Sequence, residues 1–253
     1  MLPEGVKMIS ADKKILTETL NQIAEGYDVA RDFDYYNTKL ASRLIVPYCQ
    51  SKEVIELGCA TGEMTEDLLK VTKSLVVIEP STSYAEKVHD RFGNTLRVIN
   101  AYSDEITEEL AADVLVIAGL LHHLENPVEQ LNSCKRFLRP NGYLLATVPN
   151  MSSLHRRVGV KSGLLNDIYG TTSRNVRFCQ PGRFDKRSLG DLFERSGYEV
   201  CELFGYMLKP FSSEQMMGLE LEWSVINALF ELGKEFEELA SQLFVSARMR
   251  VRE

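Results

Sequence analysis

Four histidines, at positions 89, 122, 123 and 155, are the side chains of this chain best suited to move a proton near neutral pH. Two stand together in "GLLHHLENP", just after the apolar run "VLVIAGLL". A strand ending there would put His122 and His123 at its carboxyl end. Either could act as a base, with His122 orienting or facing a substrate. Alternatively, His123 only caps the next helix or packs beneath a ligand. Adjacent histidines also suggest a metal, but no third ligand and no H-E-x-x-H spacing accompany them, so none is expected. His155 lies in "SLHRRVGVKSG". If that stretch folds over a pocket, His155, Arg156, Arg157 and Lys161 bring a base and several cations to an acceptor, and the arginine fork suits phosphate or carboxylate. A solvated basic face is the plainer reading. Lys209, in "MLKPFSSEQM", can join the same pocket. His89 in "AEKVHDRF" reads as a solvated helix residue.

A second set of residues points to a bound ligand. In "VIELGCATGEMTEDLL", Glu56 is followed by Gly58 and Gly62 and then by a helical pattern. Glycine lets the chain turn tightly and a ligand come close, and the helix start offers free N–H groups. An ordinary strand-to-helix turn would look similar. The next apolar stretch, however, ends in "IEPS". An acid about 20 residues beyond a glycine-rich turn can accept from both hydroxyls of a ribose. Ala60 and Glu63 stand where a dinucleotide fingerprint would have its second and third glycines. A pyrophosphate beside Glu63 would be repelled, so the expected ligand is a nucleoside without phosphates.

The elements needed to position these residues are legible. Helical periodicity covers 11–25 and 34–49, the latter stopping near Pro47. Short apolar strands are predicted at 53–57, 74–80, 96–101, 112–119 and 143–150. Helices are predicted between them at 63–71, 82–92 and 126–142. Strands that alternate with helices and are apolar throughout indicate a parallel sheet covered on both faces, with ligands beyond the carboxyl ends of the strands. Residues 151–185 break the pattern, with four Gly and six Arg or Lys. They read as a lid or substrate loop with one short helix. A helix at 186–198, a strand at 199–208 and a long helix over 214–244, broken at Gly218 or Gly233, follow. The end of the chain is read as a last strand or tail.

Taken in order, "VIELGCATG", "VVIEPS", "ADVLVIAGLLHHLENP" and "LRPNGYLLATVPN" resemble the successive motifs of class I S-adenosylmethionine-dependent methyltransferases. The resemblance covers roughly residues 50–150 and implies an α/β, Rossmann-like, doubly wound and mostly parallel sheet. It implies that Glu56, Gly58, Cys59 and Gly62 cradle the methionine part of the cofactor and that Glu79 takes the ribose. Pro80, Ala101 and Tyr102 would line the adenine, and Ala118 and Gly119 would approach the methionine end. Relatives often carry an Asp for the adenine amino group. Here "NAYSDE" places Asp104 late, and Ser103 or backbone groups would substitute. The run from "VPNMSSLHRRVGVKSGLL" to "LKPFSSEQM" is similar to small-molecule methyltransferases of polysaccharide and natural-product pathways. "GYDVARDFDYYNTKLAS" resembles a helix that closes over the cofactor, with Tyr27, Tyr35 and Tyr36 reaching the sulfonium or substrate. Packing on the sheet is the alternative for these rings.

Composition sets the outer limits. With 253 residues, 44% hydrophobic and 26% charged, the chain suits one domain. It divides into an amino-terminal helical cap (1–50), a cofactor core (51–150) and a substrate region (151–253). A net charge of −7 argues against a general nucleic-acid binder. The start "MLPEGVKMISADKK" lacks a signal-peptide pattern, no apolar run is long enough to span a membrane, and five scattered cysteines read as reduced thiols in a cytoplasm. The expected activity is O-methylation of a small, polar, anionic molecule: a sugar, nucleotide-sugar or phosphorylated metabolite. N-methylation of a small amine is an alternative. So is a non-catalytic scaffold binding through a dimer face of Trp223, Val225, Leu229 and Phe230.

Overall fold

The computed structural model describes residues 13–250. Residues 11 and 12 of the first expected helix, the rest of the amino-terminal stretch and the last three residues of the tail lie outside that range. Helices α1 (Lys13–Gly26) and α2 (Asp34–Cys49) come first, and α2 runs two residues past the expected stop at Pro47. Then β1 (Glu53–Leu57), α3 (Glu63–Leu69), β2 (Ser74–Ile78), α4 (Thr82–Phe92), β3 (Arg97–Ile99) and β4 (Ala112–Ala118) alternate. They are followed by α5 (Pro127–Cys134) and β5 (Leu138–Pro149). The sheet order is β3-β2-β1-β4-β5 and then two late strands, β7 (Gln242–Met249) and β6 (Tyr198–Tyr206). All neighbours pair in parallel except β7, which is antiparallel to both β5 and β6.

The apolar strands divide by parity between two cores, as side chains alternating across a covered sheet must. Ile55, Leu57, Leu115 and Ile117 enter one layer with Phe193 and Tyr198. Val54, Val114 and Val116 enter the other with Phe33, Leu40 and Ile45 of the cap. Helix α2 is therefore part of the core packing, and the cap is fixed to the sheet.

Three expectations change. The helix predicted over 126–142 ends at Cys134, because Leu138 already pairs with Ala112. Gly142 sits where a Cβ would stand 3.0 Å from two backbone carbonyls. The long helix over 214–244 is instead α9 (Ser213–Gly218), α10 (Trp223–Glu235) and the start of β7. The break falls at Gly218 and not at Gly233, which lies inside α10. A Cβ on Gly233 would come 2.1 Å from the Met207 nitrogen, so glycine there permits close helix packing. Residues 242–249 insert between β5 and β6, where the ladder supplies hydrogen bonds that a helix would otherwise make internally. Finally, the irregular 151–185 region carries two short helices, α6 (Leu154–Lys161) and α7 (Ser173–Arg177), before α8 (Lys186–Arg195). Among the described residues no helix is long and apolar enough to cross a membrane.

Candidate active site

At the carboxyl end of β1 the backbone turns through three residues in the left-handed region: Gly58, Ala60 and Gly62, with φ of 76°, 45° and 86°. A Cβ on Gly62 would sit 2.8 Å from the Phe92 ring. Ala60 adopts a conformation that glycine takes at less cost. Glu79, at the end of β2, is 4% exposed and ties this turn to the next. Its carboxylate accepts from the Cys59 N–H at 3.0 Å and from the Ser81 N–H at 2.9 Å. The Cys59 thiol lies 3.7 Å from the same carboxylate and takes a third of its about four acceptor sites. Glu56, 2% exposed, accepts from the Thr65 hydroxyl at 2.7 Å. Burial pushes its carboxyl up to about 8, with the Thr65 bond acting against the shift and the Glu79 charge adding to it. Burial also raises Glu79, against the pull of its N–H donors. Glu63 is paired with Arg91 at 2.6 Å, which softens the repulsion expected of it.

The turn after β2 is braced from an unexpected side. Asn21 of α1 accepts from the Ser81 hydroxyl at 2.7 Å and the Ser83 N–H at 3.2 Å. The Tyr102 hydroxyl lies 3.1 Å from that of Thr17. Asp104 is taken by Lys13 at 2.7 Å, and Ser103 accepts from Gln130 at 2.8 Å. Asn100 holds the carbonyls of Glu79 and Pro80 at 2.8 and 3.2 Å, and Ala101 follows it in the chain. At the other end, Gly119 follows Ala118 with φ of 67° and nothing within 4 Å of an added Cβ. Its N–H is anchored on the Thr147 carbonyl at 3.0 Å. The turn, the buried carboxylate of Glu79 and the open space at Gly119 fit S-adenosylmethionine, which supplies a methyl group on a positively charged sulfur.

Next to Gly119 the character of the site changes. His122 is 6% exposed, and its ring centroid is 4.3 Å from that of His123. The His122 Nδ1 has no partner, and burial holds its basicity well below the usual imidazole range. The His123 Nδ1 is 2.9 Å from the carbonyl oxygen of Phe178. A carbonyl only accepts, so Nδ1 carries the proton and Nε2 the lone pair. Burial lowers the His123 pKa, while the Phe178 carbonyl and Asp34 act against that. Burial and the nearby Lys209 and Arg156 push His155 down to about 2, and its Nδ1 also lacks a partner. Lys209 is 5% exposed, donates to Ser213 at 2.9 Å and lies 5.5 Å from the centroid of the Phe33 ring. Burial lowers it to about 8, with Asp34 supporting its charge.

These groups are enclosed by a latch absent from the sequence reading. Arg174 of α7 grips Asp32 through two bonds of 2.8 Å and Asp34 through one of 2.6 Å. Asp34 also accepts from Tyr27 at 3.0 Å and from Asn37 at 3.1 Å. Arg174 keeps its carboxyl below the usual range despite burial. The Phe178 ring lies under the Arg174 guanidinium at 4.9 Å and meets Tyr27 edge-on at 4.8 Å. The loop then crosses His122: the Gly182 N–H donates to the His122 carbonyl at 2.9 Å, and a Cβ on Gly182 would come 2.7 Å from the His122 Cα.

The geometry departs from expectation for several residues. Arg156 is buried but donates to the carbonyls of Ile168 and Gly170, so it orders the lid. Arg157 is exposed and holds the Ser152 carbonyl at 2.7 Å. Lys161 is exposed at the end of α6. Tyr36 packs 5.0 Å from Trp223 and 5.4 Å from Phe33 in an aromatic cluster. Phe230 is 3% exposed and packs on Tyr206, so of the expected dimer face Trp223 and Val225 are the exposed residues. His89 is exposed, and all five cysteines are free.

The family described as "Methyltransferase domain" matches residues 30–203, and the chain belongs to it. The human mitochondrial ubiquinone biosynthesis O-methyltransferase is 25% identical over 170 residues, covering 63% of this chain and 45% of that protein. A hybrid PKS–NRPS synthetase of Trichoderma harzianum is 26% identical over 142 residues, which are 49% of this chain and 3% of the synthetase. A probable S-adenosylmethionine-dependent methyltransferase of Mycobacterium tuberculosis is 22% identical over 142 residues, and the match covers 51% of its length. The chain thus spans at most about half of these curated relatives. Among solved structures, an S-adenosylmethionine-dependent methyltransferase of Thermotoga maritima superposes with a TM-score of 0.63 at 17% identity, covering 94% of this chain and 99% of that one. The plantazolicin methyltransferase BpumL, solved with S-adenosylhomocysteine, superposes with a TM-score of 0.59 at 16% identity, covering 96% and 100%. The chain carries a methyltransferase domain with the class I fold, and the proteins it is similar to include ones named as S-adenosylmethionine-dependent methyltransferases.

Proposed function

We propose that the chain is an O-methyltransferase acting on a small, polar acceptor with one anionic group, and that His123 is its general base. The observation that carries this reading is the 2.9 Å bond from His123 Nδ1 to the Phe178 carbonyl. It fixes the tautomer that presents a lone pair on Nε2, beside the Gly119 end of the cofactor site. The acceptor hydroxyl gives its proton to Nε2 as the oxygen takes the methyl group, and S-adenosylhomocysteine is left. Relatives named as ubiquinone biosynthesis O-methyltransferases support a hydroxyl acceptor. His122 orients His123 from the same turn, and His155 helps line the acceptor pocket with Tyr27. Arg156, Arg157 and Lys161 leave the acceptor to Lys209, which forms no ion pair among the described residues and suits one negative charge. That favours a hydroxy acid or singly charged sugar of a polysaccharide or natural-product pathway over a nucleotide-sugar. Cap, core and substrate region act as one catalytic unit. The acidic charge disfavours nucleic acid as acceptor, the free thiols suit a cytoplasmic setting, and Trp223 and Val225 offer a dimer contact.

The test is turnover with methyl-labelled S-adenosylmethionine against a panel of hydroxy acids and phosphorylated sugars, with the methylated atom assigned by NMR. His123→Ala should lower kcat by about 10²–10⁴ and leave S-adenosylhomocysteine affinity unchanged. Full turnover in that variant, or a methyl group on nitrogen, would overturn the assignment.

A further inference from the structure

We propose that Arg174 is a positioning residue for His123, so that closing the lid on the cap is what sets the base in its working tautomer. The inference rests on the reading of His123 as base, but its own test does not need an acceptor.

Arg174 and Asp32 are 142 residues apart, and their bidentate pair is side-chain contact between the lid and the cap. Asp34 adds a third bond, and the Glu214 carboxylate lies 3.5 Å from the same guanidinium. A planar fork meeting a carboxylate with two bonds fixes direction as well as distance. From Arg174 to the histidine the path is short and stiff. Thr172 caps α7 through a reciprocal pair of bonds with Asn175, and the Phe178 N–H closes back on the Arg174 carbonyl at 3.0 Å. The Phe178 ring is held between Arg174 and Tyr27, and its carbonyl accepts from His123. A helix of five residues would not hold this shape alone. Its ion pairs to the cap therefore help to keep the Phe178 carbonyl over the imidazole, together with the Gly182 N–H on the His122 carbonyl.

If the latch opens, His123 loses both its acceptor and part of its cover. The groups that face it are His122 on its own turn, Asp34 from the cap, and the carbonyls of Phe178 and Cys179 from the lid. Opening removes the two carbonyls and admits water. The ring is then free to exchange tautomers and to take up a proton nearer its ordinary pKa of about 6.5.

The experiment uses the full chain with S-adenosylhomocysteine added. It compares wild type, Arg174→Gln, Arg174→Lys and Asp32→Asn. Histidine ring NMR reads the His123 tautomer and titration, and hydrogen exchange reads the amides of Phe178 and Gly182. In wild type His123 should be a single Nδ1–H tautomer that resists protonation. In Arg174→Gln the tautomers should mix, the titration should move up toward about 6.5, and amide protection in the lid should fall by about tenfold or more. Arg174→Lys should recover part of each effect, because charge returns without the fork. Asp32→Asn, which removes only one side of the pair, should shift the same signals in the same direction. Faster exchange with an unchanged His123 would make Arg174 a brace for the lid alone and overturn the proposal, as would no change in either signal. If instead His123→Ala keeps full turnover, the base assignment fails while the coupling between Arg174 and the ring can still be read.

Discussion

The two halves of the site are built by different means. The cofactor half is held by backbone: the Gly58–Gly62 turn, the N–H groups of Cys59 and Ser81 on Glu79, and Gly119 on the Thr147 carbonyl. The half proposed for the acceptor is held by side chains: Arg174 reaches from the lid to Asp32 and Asp34 of the cap, while Tyr27 to Asp34 and Lys209 to Ser213 are local pairs. The first half leaves buried acids, and the second leaves the unpartnered Nδ1 atoms of His122 and His155. A backbone-built site is preformed whenever the sheet is formed. A site built from side-chain pairs between cap and lid can open without unfolding the core.

Each half contains one glycine with no room for a side chain, and these give the largest separation. Gly62→Ala combines a left-handed φ with a 2.8 Å contact to Phe92 and should destabilise the fold by about 2 kcal/mol or more, with loss of S-adenosylhomocysteine binding. Gly182→Ala would press on the His122 backbone. It should speed hydrogen exchange in the lid while the melting temperature and cofactor affinity change little. If the two variants gave the same pattern, the halves would not be separable.

The halves should also respond oppositely to pH. Glu56 has a folded pKa raised to about 8, so its stabilising contribution is complete below its unfolded value of about 4.5 and is lost as pH rises through about 8. His155 is lowered to about 2, so its contribution is present above its unfolded value of about 6.5 and is lost as pH falls from there. Thermal melts from pH 4 to 9 should show Glu56→Gln flattening the alkaline slope and His155→Gln the acid slope. An unchanged profile in either variant would remove that group from the account.

The smallest effect belongs to Ala60. Replacing it with glycine relieves a φ of 45°, against the greater freedom of glycine in the unfolded chain. Ala60→Gly should raise stability by about 0.5 kcal/mol, or 1–2 °C in the melt. A fall in stability would mean that the Ala60 methyl packs usefully.

The same division explains what the sequence made legible. Gly58, Gly62, Glu79 and Gly119 could be placed because strand ends and turns are local, and each residue lies next to the element that positions it. Helix α1 bracing Ser81 through Asn21 was not visible, since nothing local marks that side chain as a partner of the start of α4. The cations of the 151–185 loop were misdirected for a related reason. Charge and residue type suggested an anion site, but Arg156 meets backbone carbonyls and Arg174 meets acids 140 or more residues away. Nothing local marks Asp32 and Asp34 as partners of a segment 140 residues on. In the late region, the apolar pattern of 242–244 fitted helix as well as strand, and only the space between β5 and β6 decides it.

The most direct test of this account is calorimetric titration of wild type, Glu79→Ala and Arg174→Gln with S-adenosylhomocysteine, with NADH as control. The account predicts micromolar binding to wild type and to Arg174→Gln alike and no binding of NADH. It predicts a loss of about 30-fold or more in Glu79→Ala, where the hydroxyl acceptor is gone and two N–H groups lose their partner. If Arg174→Gln lost as much affinity as Glu79→Ala, the cofactor half would depend on the latch, and the separation between a backbone-built and a side-chain-built half would be wrong.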